Sequence, residues 1–432
     1  MIAYVISYIA SYFAASAGHY VLSGIILILM SFALYAMDYL KTRNVINLRG
    51  LFTLGFLGGE GVACLKLSYL ETDWHIMTWL CFFFAFTAFY LIYELLMLNK
   101  ARIDYKIKPL GRVMTFGRIP DVQRLFVCIL VLTAVSTACF LFEAVVLGYV
   151  PLFVRGVPHA YSYFHISGVH YFTVSCVLVP AFSVIWFLKT ENRTPGRTAA
   201  MIICDFMAFS IPLLCVSRFQ FVFAVALAIL TFIAVKKNVS VKLVISAVFL
   251  GVAAFAVLSA ARSHDAEYLN SIFEMKISLP VSISRIYIYI ANNYDNFDCL
   301  VRQLTEHTFG LRMLFPVWAL TGLKFVAPQL VDFPLYVTKE ELTTLTMFYD
   351  FYYDFGVLGV FLGSALIGAT AVFIERFSME RDDPMAAVFY AQFAIYMILA
   401  FFTTWFSNPT TWFYLAVTVI IYFICIGEKE AK

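Results

Sequence analysis

Residues 123–147 read QRLFVCILVLTAVSTACFLFEAVVL. As a helix, such a run reaches across the ~30 Å hydrocarbon core of a bilayer, since each residue advances 1.5 Å and about 20 residues suffice. Twelve stretches of this kind follow one another: 2–17, 20–40, 49–68, 74–97, 123–147, 167–188, 198–216, 219–235, 242–261, 353–374, 385–404 and 410–426. With 62% hydrophobic residues, 13% charged residues and a mean hydropathy of +0.86, the chain cannot form a soluble globule. The expected fold is an all-α polytopic membrane protein of about 12 transmembrane helices. The first stretch lacks a basic start and runs almost directly into the second, so it is expected to stay rather than be cleaved as a signal.

The loops decide orientation. One side carries most of the basic residues, among them Lys41, Arg43, Lys100, Arg102, Lys106, Arg118, Lys189, Arg193, Lys236, Lys237, Arg376 and Lys429; the short loops opposite carry Lys66, Arg155 and Arg218. The positive-inside rule then puts both termini in the cytoplasm and residues 262–351, the longest loop, outside. The net charge of +3 follows from this asymmetry and argues for no nucleic acid partner. Of nine cysteines only Cys299 falls in a sizeable outer loop, so neither a disulfide framework nor a metal spacing is visible. With no internal repeat or soluble domain, 1–432 reads as one transmembrane domain with 262–351 as an external lid. The basic loop 99–123 reads as an anchor on anionic lipid.

No GxxxxGK[ST], HExxH or Asp-x-Asp occurs, so neither a nucleotide-phosphate cradle nor a metal-held sugar nucleotide is expected. Chemistry outside the cell, where there is no ATP, needs a substrate that arrives activated. A lipid-linked pyrophosphate meets that need, and arginine suits it because its planar fork gives bidentate, charge-assisted hydrogen bonds. Arg218 and Arg262 stand at span ends, where an ionised side chain costs up to about 2.5–3.5 kcal/mol near the membrane centre. Arg285 belongs to an amphipathic stretch, 278–297, in which Arg285, Tyr289, Asn292 and Asn296 share one helical face and Ile283, Ile286 and Ile290 the other. Such a helix could lie on the interface and point its arginine inward. The competing reading has these arginines snorkelling to headgroups or pairing with Asp265 and Glu267. Arg155, Arg302 and Arg312 read first as solvated loop residues, with Arg155 kept as a weaker sugar contact.

Asp350 and Asp354 lie one helical turn apart, so on a helix they share a face and repel, which raises the proton affinity of one and suits a general base. Equally, acidic residues favour a helix N-terminus. Among the external histidines, His170 and His264 adjoin other candidates and are taken as catalytic possibilities; an interfacial histidine is more often structural. Tyr171, Tyr289 and Tyr352 could stack on sugar rings or belong to an aromatic belt.

Taken in order, Gly148-Tyr149-Val150-Pro151-Leu152-Phe153, Gly168-Val169-His170-Tyr171, Ser217-Arg218, Arg262-Ser263 and the 346–359 run containing Asp354-Phe355-Gly356 resemble the Wzy-type oligosaccharide repeat-unit polymerases of bacterial surface polysaccharide (O-antigen, lipopolysaccharide and capsule). The chain departs from the family at Thr343-Thr344-Leu345-Thr346, where Asn-x-Tyr-Thr is expected and only the last threonine is kept. The resemblance implies a metal-independent glycosyltransferase of the bacterial inner membrane, without cofactor. It would move an undecaprenyl-pyrophosphate-linked glycan onto the terminal hydroxyl of a lipid-linked repeat unit, with a flippase and a chain-length regulator as partners. Arg218, Arg262 and Arg285 would neutralise the departing pyrophosphate, and Asp354, His170 or His264 would accept the proton. Asp350, Tyr352, Tyr171, Tyr289 and Arg155 would contact sugar. The alternatives are an O-antigen ligase using the same donor and a flippase for the same lipid-linked oligosaccharide.

Overall fold

The computed structural model describes residues 1–107, 120–154, 160–237, 266–380 and 383–426. Among them every regular element is a helix, and the one β-type contact is an isolated antiparallel bridge between Ser68 and Met275. Seven helices are long and apolar enough to cross a membrane: Tyr20–Thr42, Ile76–Leu98, Val122–Leu147, Val169–Lys189, Pro195–Leu214, Arg218–Lys236 and Tyr349–Ser378. The expected twelve are not reached among the described residues. The first, eleventh and twelfth stretches form the helices Ile2–Ser16, Ala387–Ile398 and Pro409–Ile424, too short to be counted as full crossings. The stretch 242–261 lies outside the described residues.

The stretch 49–68 is broken into Leu48–Phe52, a π-helical turn Thr53–Leu57, and Gly58–Ala63. Backbone crowding sits at the turn: a Cβ added to Gly55 would fall 2.3 Å from the Ile398 carbonyl oxygen. Only a glycine lets the two backbones approach so closely, and a π-turn is a common way for a helix to absorb such a constraint.

The chain divides into two compact units. The first comprises Met1–Gly111, His264–Phe373 and Tyr396–Pro409; the second comprises Arg112–Ser263, Ile374–Ile395 and Thr410–Lys432.

Aromatic rings fill the first unit: Phe52 against Phe89, Phe56 against Phe348, and Phe82 against Tyr294, with ring centroids 4.0, 4.9 and 5.2 Å apart. Tyr294 comes from Val281–Gln303, the helix expected at the interface. That helix forms, and its polar face, Arg285 included, points inward. Arg285, Asn292, Asp295, Asn296 and Asp298 are enclosed, while Ile283 and Ile286 are exposed. Partners explain the burial. Asp295 accepts from Lys66 Nζ (2.7 Å) and Trp74 Nε1 (2.9 Å), Asp298 from the His75 amide (2.7 Å), and the Asn296 amide donates to the Leu342 carbonyl (2.7 Å). Most buried polar groups are satisfied in this way. Glu71 joins this cluster through the Tyr287 hydroxyl (2.7 Å); burial, then the Asp295 carboxylate, pushes its carboxyl up to about 7.

A second polar knot ties three helices of this unit. Arg49, nearly enclosed, clamps Asp38 through Nε (2.9 Å) and Nη2, reaches Glu94 through Nη1, and lies over the rings of Tyr90 and Tyr93. In the second unit Val122–Leu147, Val179–Lys189, Pro195–Leu214 and Arg218–Lys236 pack together, with Gln392 donating to Thr418 (2.8 Å) and Tyr422 to Asp383 (2.9 Å).

Candidate functional site

The helix Tyr349–Glu375 is not continuous. Gly356 interrupts it at φ 60° and ψ −147°, a region open to glycine alone, and a Cβ there would stand 3.1 Å from His307 Nε2. The interruption frees carbonyls that a regular helix would use. His307 Nδ1 and the Thr308 amide donate to the Tyr353 carbonyl (3.1 and 3.4 Å), and the Phe309 amide donates to that of Asp354 (3.2 Å). The Asp354 carboxylate completes the latch. Fully buried, it accepts from the Thr308 hydroxyl, the Arg312 amide (3.2 Å) and the Met313 amide (2.8 Å). Asp-Phe-Gly thus acts locally as a socket for residues 307–313.

What the latch presents is Arg312. Its Nε donates to Asp350 Oδ1 at 2.7 Å, and its guanidinium lies 4.4 Å above the Tyr353 ring and 5.7 Å from that of Tyr349. Burial would favour the neutral form, but Asp350 more than offsets it and pushes the Arg312 value higher still, so the guanidinium stays charged. Neither Nη1 nor Nη2 hydrogen-bonds a described residue. A cavity of about 340 Å³ lies here, lined by Arg312, Asp350, Leu311, Phe315, Thr404 and Asn408 among others. One wall is fixed by hydroxyls: Tyr349 bonds the Tyr336 backbone (2.9 Å) and Tyr353 donates to the Pro334 carbonyl (3.2 Å), holding the chain beyond Phe333 in place. A pinned cation with two free donors in a mixed polar and apolar cavity can bind a phosphate-type anion.

Asp350 and Asp354 do lie one turn apart, but each has its own compensation, Asp350 from a guanidinium and Asp354 from two amides and a hydroxyl. The mutual repulsion expected from their spacing is thereby screened.

In the second unit, His170 Nδ1 lies 3.2 Å from both oxygens of Glu143. Glu143 is fully buried and also accepts from the Ile166 amide (2.9 Å) and the Thr173 hydroxyl (2.7 Å). Facing a carboxylate, Nδ1 carries the proton of the neutral ring, which leaves Nε2 as acceptor with no bond to a described residue.

The other expected site residues fall in one unit or the other, or outside the described residues. Arg285 is buried in the first unit but does not line the Arg312 cavity. Arg218 is buried at the start of Arg218–Lys236, in the second unit. Tyr352 packs on Phe297 and His307, Tyr289 lies beside Phe402, and Tyr171 stacks on Phe413. Arg155, Arg262 and His264 lie outside the described residues.

No family model, no curated protein and no solved structure matches this chain. The site therefore rests on its own geometry. Two polar residues, one in each unit, have roles that their sequence context did not suggest. Arg312 read as a solvated loop residue because its partners, Asp350 and Tyr353, are some forty positions away. Glu143 had a local signal: it is the single carboxylate in the apolar 123–147 run, and an ionisable group at such depth is a functional candidate by default.

Proposed function

We propose that the protein is a surface-polysaccharide polymerase, transferring a polyprenyl-pyrophosphate-linked glycan onto a lipid-linked repeat unit. The observation that supports this most is the Arg312 guanidinium, tied at Nε to Asp350 and free at both terminal nitrogens where it lines the cavity. In the reaction, the acceptor hydroxyl oxygen bonds to the anomeric carbon as the bond from that carbon to the pyrophosphate oxygen breaks. The electron pair leaves with the pyrophosphate and the hydroxyl proton passes to a base. Arg312 binds the pyrophosphate and stabilises the charge that grows on the bridging oxygen, an effect that in enzymes is often the largest single contribution. Asp350 positions the fork, and Asp354 positions the loop that carries it. The order of motifs along the chain, from Gly148-Tyr149 to Asp354-Phe355-Gly356, is the second support.

The test is reconstitution in lipid vesicles with synthetic lipid-pyrophosphate repeat units. Ladders of longer glycans are expected, and Arg312→Lys, which keeps the charge but loses the fork, should cut their formation at least tenfold. Transfer to a lipid A core without ladders would favour a ligase, and flipping without transfer a transporter; either would overturn the polymerase reading.

A further inference from the structure

The segment that follows the latch carries its apolar side chains outward. Phe309 is 78% exposed, Phe325 66% and Val326 83%, and Leu314, Val317, Leu320 and Leu323 are exposed with them, whereas Pro316 and Ala319 are buried. Two short helices, Phe315–Leu320 and Leu323–Val326, give the segment this two-faced character. A single exposed leucine needs no explanation, but a contiguous run of this kind marks a contact surface.

Continuity with the spanning helix identifies what covers it. Phe355, Leu358, Leu362 and Leu366 are exposed at helical spacing along Tyr349–Glu375, on a helix long and apolar enough to cross the membrane. Phe309 packs against Phe355 with ring centroids 6.3 Å apart, so the lipid-facing stripe passes directly onto the segment. Lys324 stands at the far end, its ammonium 5.0 Å from the Phe325 ring, where a cation suits a phosphate headgroup above an apolar anchor. The Asp354 latch ties the segment to the helix, and the bond from Trp318 Nε1 to the Leu311 carbonyl (3.0 Å) closes the segment on itself.

We propose that residues 309–326 form a monotopic element that dips into the leaflet on their own face of the membrane, with Lys324 at the level of the phosphates. This goes beyond the polymerase reading and stands without it. One consequence does rest on that reading: Leu311 and Phe315 line the Arg312 cavity, so an amphiphilic donor would reach the guanidinium from the leaflet.

Depth measurement tests the element directly. Nitroxide labels are placed at Phe325→Cys, Val326→Cys and, as an aqueous reference, Glu340→Cys, in the full chain in phosphatidylethanolamine and phosphatidylglycerol vesicles, with signal from labelled native cysteines subtracted. Collisions with oxygen should dominate at 325 and 326 and collisions with a water-soluble nickel chelate at 340. Nickel accessibility at 325 and 326 equal to that at 340 overturns the proposal. So does protection from both reagents, which would mean a protein partner, including a second copy, covers the surface.

Discussion

Replacing Asp354 with asparagine separates a carboxylate that holds a loop from one that accepts a proton. Three donors converge on it, the Thr308 hydroxyl and the amides of Arg312 and Met313. Asparagine keeps one oxygen and turns an amino group toward the remaining donors, so at least one buried N–H or O–H is orphaned, at about 1–3 kcal/mol. That cost falls on the closed position of residues 307–313 and therefore on the placement of Arg312. Converted at about 1.4 kcal/mol per decade, binding of a pyrophosphate-bearing ligand should weaken roughly 5- to 140-fold. Calorimetric titration of the full-length protein in nanodiscs with polyprenyl pyrophosphate measures this, alongside the turnover of bound substrate. Unchanged affinity with lost turnover would refute the latch and return Asp354 to the role of base.

Gly356→Ala should lower thermal stability in detergent by about 1–3 kcal/mol, since alanine is strained at this backbone conformation and its Cβ crowds His307; an unchanged melting curve would exclude the tight socket. Arg49→Met leaves Asp38 buried without its cation and should cost about 3–5 kcal/mol in the same assay, whereas a loss under 1 kcal/mol would show that the knot is slack. Glu71 has its folded value, about 7, above its ordinary 4.5. The stability conferred by its protonated form is fully present below about pH 4.5 and lost as pH rises through 7, on the order of 3 kcal/mol in all. Glu71→Gln should flatten that slope, and equal slopes in the two proteins would remove Glu71 as its source.

Membrane class and helical fold were legible because hydropathy adds up residue by residue. Hydrogen bonding and close packing are not legible in the same way: nothing in the apolar content of 49–68 reveals the π-turn at Gly55, which answers to the backbone at Ile398. Periodicity found the two faces of Val281–Gln303 and allowed the arginine face to point inward, but not what holds it there, since that depends on distant partners such as Lys66 and Trp74. For the same reason the one-turn spacing of Asp350 and Asp354 was readable while their roles were not. Their partners come from residues 308–313. Arg312 and Glu143 differ instructively: the first needed the fold, the second only attention to a lone charge among apolar neighbours.

Binding of undecaprenyl pyrophosphate to the wild-type protein and to Arg312→Lys in nanodiscs tests the central claim most directly. Saturable binding that weakens at least tenfold in the lysine variant is the predicted result, because lysine cannot keep its bond to Asp350 and also present a two-nitrogen fork. Equal affinity in the two proteins would contradict the claim and place the pyrophosphate elsewhere.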